Sequence, residues 1–487
     1  MPVSDRRTCV STESPLSNRI PARPTGFARR KWAAALSFHS NGQGRDAGRL
    51  CSGTLSGGDP AAHSASTSQS RCRSAPHSSA PPSEQSHSAR WHEAMGLFFQ
   101  APRSSAVLRV NLVYQALPAY RVPVWEALAS RPDIDLTVHH ARSSDLPSTQ
   151  PEGFKTVQLD VETSVRKRYV AYPSLLNLAS RSDSDVLIAP WSLRSVLLAP
   201  AMLKARLSGV GTVLWGHGYS KREKRSKVWL RDTLGQLADS LVFYDARTAD
   251  AFQARNPAFR GAYVAPNTLD LDVIEAARSS GLATSAAPRL QQLLGDRSRS
   301  KVGGGPTALH VSRLWEDNGV DTILEATALV PGMNTIVVGD GPLLTGLRAR
   351  ATSLGIADRV HFVGAMYREE DLAPLFALAD LFIYPKNVGL SLIHALAYGV
   401  PVLTGDDLAS HNPEVCALKD GVNGAFFRHG DAAALAEKVE TLFGAPDVLA
   451  SMSRAAREGV HRDFPLKRMV DGLEQAIRYA ASQRRGR

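Results

Sequence analysis

The segment PKNVGLSLIHALAYGVPVLTGDD, residues 385–407, places residues where a phosphate could be held. Gly389 permits close backbone approach, and Ser391 is a favourable cap for a helix running on through Ala397. The N–H groups at such a helix start, with the positive end of its dipole, suit an anion. Arg313, in HVSRL, follows a strand, and a guanidinium can grip phosphate through two parallel bonds. The alternative for Arg313 is a surface ion pair. Gly339 and Gly341, in VVGDGP, allow a tight turn, either beside a ligand or as plain turn glycines. Together these residues point to a diphosphate-bearing ligand.

The elements that must position them alternate between short apolar strands and helices. Strands are predicted over residues 106–116, 134–141, 185–190, 212–218, 240–245 and 261–267, with helices over 122–130, 193–208 and 224–237 between them. Residues 281–305 read as a linker on composition. The alternation then restarts, with strands over 307–314, 334–342, 359–364, 381–385 and 400–405 and helices between them. This pattern predicts two doubly wound, Rossmann-like α/β domains, over residues 105–280 and 306–466, facing a central cleft. Such a cleft is the natural ligand site. A last helix, within 467–487, either crosses back to the first domain or stays with the second.

Residues 1–104 are rich in Ser, Ala, Pro, Gly and Arg and show no sustained period. They are expected to form a disordered tail, or else translation starts at Met95. The first 94 residues hold 12 basic and 6 acidic side chains, so the body carries only a mild share of the formal +11 and does not read as a nucleic-acid binder. Three of the four cysteines lie in this tail and no metal-binding spacing appears, which fits a reducing, cytoplasmic setting. No apolar run approaches the ~18–20 residues of a membrane span. KREKRSKVWLR, Lys221 to Arg231, concentrates six basic residues. It forms either a solvated helix face or a rim for an anionic, lipid-linked acceptor or the inner membrane surface.

HVSRL, VVGDGP, RVHFVG, GLSLIHALAYGVPVL, NPEV and DGVNGAFFRHGDAAALAE follow one another in an order and spacing that resemble the C-terminal domain of the group 1 glycosyltransferases. These are retaining, nucleotide-sugar-dependent enzymes of the GT-B fold. The resemblance implies a donor site built from Gly339, Gly341, Lys386, Gly389, Leu390, Ser391, His394 and Glu414, with Arg313 on the diphosphate. It also implies that His217, in WGHG, touches the donor sugar or diphosphate. The alternative is a structural histidine in a turn. Tyr120 and Arg121 are implied on the acceptor side. Asn267 matches a late first-domain motif, or is a polar turn residue.

Two departures bear on activity. The family usually has two glutamates at the positions of Lys386 and His394, and a lysine at that of Asn318. His394 can still bond ribose hydroxyls. Lys386 either points to solvent or meets a carboxylate on an acidic donor sugar.

The sequence therefore predicts transfer of a sugar from a nucleotide-sugar to a glycan, lipid-linked or small-molecule acceptor, with retention, and with no metal or cofactor required. The rival reading is a sugar-nucleotide-binding or assembly protein of the same fold that has lost its chemistry. A GT-B-type epimerase would need a pair of cleft carboxylates, and no convincing pair can be placed.

Overall fold

The computed structural model describes residues 107–141, 151–159, 162–164, 169–219, 221, 223–280 and 305–485. The tail expected over 1–104 and the linker expected over 281–305 fall outside the described residues, except for residue 305.

The first domain is built on strands β1 (Leu108–Tyr114), β2 (Ile134–Ala141), β3 (Lys155–Leu159), β6 (Val186–Pro190), β7 (Gly211–Trp215), β8 (Ser240–Phe243) and β9 (Ala262–Val264), with a small β4–β5 hairpin (Glu162–Ser164, Tyr169–Ala171) beside them. The order is β3-β2-β1-β6-β7-β8-β9, every pair parallel. The second sheet uses β10 (Thr307–Val311), β11 (Asn334–Val338), β12 (Val360–Gly364), β13 (Leu381–Ile383), β14 (Val402–Gly405) and β15 (Gly424–Phe427). Its order is β12-β11-β10-β13-β14-β15, again all parallel. The central strands, such as β6, β7 and β8, are buried along their length, as expected where helices cover both faces of a parallel sheet, whereas the edge strand β3 (KTVQL) is polar and mostly exposed.

The chain order reverses between β1 and β6 and between β10 and β13. In open parallel sheets ligands lie at these switch points, beyond the carboxyl ends of the strands. Gln115–Arg121 and Ser312–Arg313 therefore begin at the two places where a ligand would sit.

The domains exchange their terminal helices. Leu271–Ser279, placed with the first domain by sequence, buries Leu271 and Ile274 in the core of the second, so the boundary expected at 280 moves upstream. Leu466–Arg485 buries Met469, Val470, Leu473 and Ile477 in the core of the first. Its approach is close: a Cβ on Gly472 would stand 2.3 Å from the Val264 carbonyl oxygen. Arg478 pairs with Asp133 through Nη2 at 2.7 Å, and Arg484 with Asp239 through Nε at 3.1 Å. No helix among the described residues is long and apolar enough to cross a membrane.

Candidate active site between the two domains

Arg313 reaches the crevice because of how glycines pack beneath its loop. Gly339 has φ +143°, and a Cβ there would overlap the Ser312 carbonyl oxygen at 1.7 Å. A Cβ on Gly341 would lie 2.5 Å from the Leu314 carbonyl oxygen. These glycines let the turn after β11 press against Ser312–Leu314, where Ser312 N donates to Val338 O at 3.0 Å and Leu314 N to Asp340 O at 2.9 Å. Their observed contacts are with the loop that carries Arg313, whose own side chain is exposed.

His310 ties the two switch-point strands together. Its Nδ1 lies 2.8 Å from Ile383 O and its Nε2 2.7 Å from Ser312 Oγ. A carbonyl only accepts, so Nδ1 carries the proton and Nε2 is an acceptor. Burial lowers its pKa to about 4, so the ring is neutral near pH 7. His310 has no role in the sequence reading, because a histidine inside an apolar strand shows no partner locally.

The helix after β13 is Leu390–Tyr398, capped by Gly389 with no side-chain bond to the cap. Ser391 is inside the helix rather than at its cap, which corrects the sequence expectation. The first N–H groups, beginning at Leu390, are thus not occupied by a capping side chain. The loop before the helix is held from behind by His411. Val388 N donates to His411 Nδ1 at 3.2 Å, and His411 Nε2 donates to Gly405 O at 2.8 Å. Burial again lowers this pKa to about 4. Asn412 donates to Asn387 O at 3.2 Å. Asn387 takes φ +61°, the one non-glycine residue in the left-handed region among those described.

The positions that depart from the family have partners of their own. Asn318 is buried and donates to the Arg313 carbonyl, so it buttresses the loop and carries no charge into the site. His394 Nε2 lies 2.8 Å from Glu369 Oε1, which also accepts from Tyr398 Oη at 2.5 Å. Phe376 stacks on Tyr398 at 4.4 Å and flanks His394 at 4.7 Å. The imidazole nitrogen expected on ribose is therefore engaged with Glu369. Burial opposes ionisation of Glu369, but His394 and Tyr398 hold its pKa below the ordinary value. Lys386 is half-buried, its stem lying against Gly319, and has no ion-pair partner among the described residues.

The first domain supplies the facing wall. His217 follows β7, is open to the cleft, and meets the Tyr244 ring edge-on at 4.8 Å. Desolvation, then the charges of Arg121 and Lys221, lower its pKa to about 4. Tyr120 keeps 40% of its surface exposed, yet the surrounding protein pushes its pKa up to about 12.

Arg121 does not reach an acceptor. It is 2% exposed, donates to Asn267 Oδ1 at 2.5 Å and to Tyr244 Oη at 3.3 Å, and lies near the rings of Tyr120 and Trp215. Asn267 in turn donates to Glu414, in the second domain. The other oxygen of Glu414, Oε2, is buried without a partner among the described residues, and burial raises the pKa of the acid. The basic run also divides. Arg231 is buried on Glu223 at 3.0 Å, and Lys221 crosses the cleft to Asn387 Oδ1 and Ser410 O. Lys224, Arg225 and Lys227 remain exposed beside Trp229 and Leu230, and Arg222 lies outside the described residues. No group of three His, Cys, Asp or Glu suited to a metal occurs among the described residues.

Residues 296–459 match the family described as glycosyl transferases group 1. That match spans most of the second domain. A GDP-mannose-dependent alpha-(1-6)-phosphatidylinositol monomannoside mannosyltransferase of Mycobacterium tuberculosis is 32% identical over 230 residues, 43% of this chain and 55% of that protein. The lipopolysaccharide core biosynthesis glycosyltransferase LpsE of Rhizobium meliloti is 27% identical over 175 residues, 35% of this chain and 49% of its own length. The chain thus spans about half the length of these relatives. Among solved structures, Anabaena Alr3699/HepE in complex with UDP superposes with a TM-score of 0.58 at 17% identity, over 76% of this chain and all of that one. The sucrose-phosphate synthase of Thermosynechococcus elongatus gives 0.58 at 17% identity, over 77% of this chain and 100% of its own. These likenesses establish the two-domain GT-B fold.

Proposed function

We propose that the protein transfers a sugar from a nucleotide-sugar donor to a glycan, lipid-linked or small-molecule acceptor, with retention at the anomeric carbon. The observation that carries this reading is the topology of the second switch point. Arg313 follows β10 and the helix start at Gly389, Leu390 and Ser391 follows β13, the two neighbouring strands where the chain order reverses, in a domain that matches the group 1 family. Both suit a diphosphate. Departure of the nucleoside diphosphate then needs charge stabilisation more than a protein nucleophile. Arg313 and the helix start supply it, and neutral His217 bonds the donor sugar or a phosphate oxygen across the cleft. The leaving phosphate takes the proton of the attacking hydroxyl, on the same face as the leaving group. No metal or cofactor is assigned a part.

Glu414 orders the donor side of the cleft through Asn267, Tyr120 lines the acceptor side, and Lys386 faces the sugar. His394 serves the donor by fixing Glu369, rather than by binding ribose itself. Relatives named for phosphatidylinositol mannoside and lipopolysaccharide core support a lipid-linked or glycan acceptor. The exposed Lys224, Arg225 and Lys227, beside Trp229 and Leu230, suit contact with an anionic membrane surface on the cytoplasmic side.

The test is thermal stability against UDP, GDP, ADP, CDP, dTDP and their sugars, followed by transfer assays with the nucleotide that binds. Ligands that bind the native state raise the melting temperature. A shift with one base, and diphosphate released on addition of acceptor, supports the transferase. A shift without turnover supports the rival binding protein, which Asn318 and Lys386 favour. No shift with any of them removes the donor site.

A further inference from the structure

Among the described residues of the basic run, Lys221 bonds across to the other domain. Its Nζ donates to Ser410 O at 2.5 Å and to Asn387 Oδ1. Asn387 stands two residues before the helix cap Gly389. An ammonium that crosses a domain boundary to bond two neutral oxygens has given up water for modest partners. The cost is visible in its pKa, which desolvation lowers to about 8 although Asp317, Glu414 and Asp407 all act to raise it. Its charge also reaches His217 on the first domain and His411 on the second, lowering both. Lys221 therefore bridges the two walls of the cleft, beside the loop that leads into the helix start, and feels the charge of Asp317, four residues beyond Arg313.

Asn318 puts no cation at its position, because its amide is spent on the Arg313 carbonyl. A diphosphate carries more charge than one guanidinium and a helix start neutralise. We propose that Lys221 is the second cation of the diphosphate site, delivered from the first domain, and that its bonds to Asn387 and Ser410 are the resting position it leaves when a nucleoside diphosphate enters. In this arrangement the diphosphate itself holds the two domains together, since Arg313 comes from one and Lys221 from the other. The inference rests on the donor site proposed above.

Calorimetric titration of UDP and GDP, with UMP and GMP in parallel, tests it on the full chain. Lys221→Met should weaken the diphosphate that binds wild-type protein at least tenfold and its monophosphate no more than about threefold. Lys221→Arg should keep most of the diphosphate affinity. Unchanged diphosphate affinity in Lys221→Met overturns the proposal. Equal weakening of diphosphate and monophosphate also overturns it, because a mere interdomain latch would act on both alike. Wild-type protein that binds neither UDP nor GDP, nor the ADP, CDP and dTDP of the wider panel, removes the donor site and this proposal together. Binding that survives Lys221→Met leaves the donor site standing and removes only the role of Lys221. Melting curves show that each variant is folded.

Discussion

Asn267 and Glu414 meet across the domain boundary, the amide of one donating to the carboxylate of the other, with both side chains buried. Because Asn267 also accepts from Arg121, one neutral residue stands between a buried cation and a buried acid. Asn267→Leu strips both of this partner at once. It should cost about 1–3 kcal/mol, read as a lower urea midpoint, since a buried polar group that loses its hydrogen-bond partner bears its desolvation cost, even though Arg121 keeps Tyr244. Asn267→Asp should be milder on the Arg121 side and worse on the Glu414 side.

Arg313→Ala should reduce transfer at least tenfold while leaving the melting temperature within about 2 °C, because the side chain is exposed and the loop is held by backbone bonds. Initial rates with the donor found by thermal shift provide the check. Unchanged rates would remove the diphosphate role of Arg313.

His394→Ala leaves Glu369 half-buried with Tyr398 as its remaining bonded partner. The expected loss is about 1–2 kcal/mol of stability. If His394 acts through Glu369, Glu369→Gln should weaken donor binding as much as His394→Ala does. Donor binding lost only in the histidine variant would return His394 to direct contact with ribose.

Acid should destabilise the fold before carboxylates are neutralised. His310 and His411 have pKa values of about 4 in the native state, against 6.5 for an ordinary histidine. Between those values the unfolded chain binds more protons, so stability is full above pH 6.5 and falls as pH drops toward 4. The loss is on the order of a few kcal/mol for the pair. Urea midpoints at pH 7 and pH 5 measure it, and His411→Asn should flatten the dependence.

Most strands of the two sheets were legible because they are apolar, β-branched runs separated by turn residues, as in β10 to β11; the edge strands β3, which is polar, and β15, which is four residues long, were not. A helix beginning close to Gly389 was legible, although Ser391 rather than Gly389 was expected at its cap. What escaped were relationships between distant parts of the chain. Lys221 sits in a run of six basic residues, which reads as a surface, and nothing nearby in sequence announces Asn387. Arg121 resembles an exposed turn arginine until Asn267 and Tyr244 close over it. Gly339 looks like a ligand-side glycine, whereas its contact is a backbone oxygen in the adjacent loop. An amphipathic period shows that Leu466–Arg485 buries one face, but not against which domain.

That last helix has a consequence for the order in which the protein can be made. The strands of the first sheet leave the ribosome early, with one face still lacking Met469, Leu473 and Ile477. The whole second domain is translated before those residues appear. Amino-terminal domains ordinarily fold first during synthesis. Here the amino-terminal sheet must wait with apolar surface open to chaperones, and a stop codon before residue 466 would cripple the domain that was synthesised first while sparing most of the core of the one synthesised later.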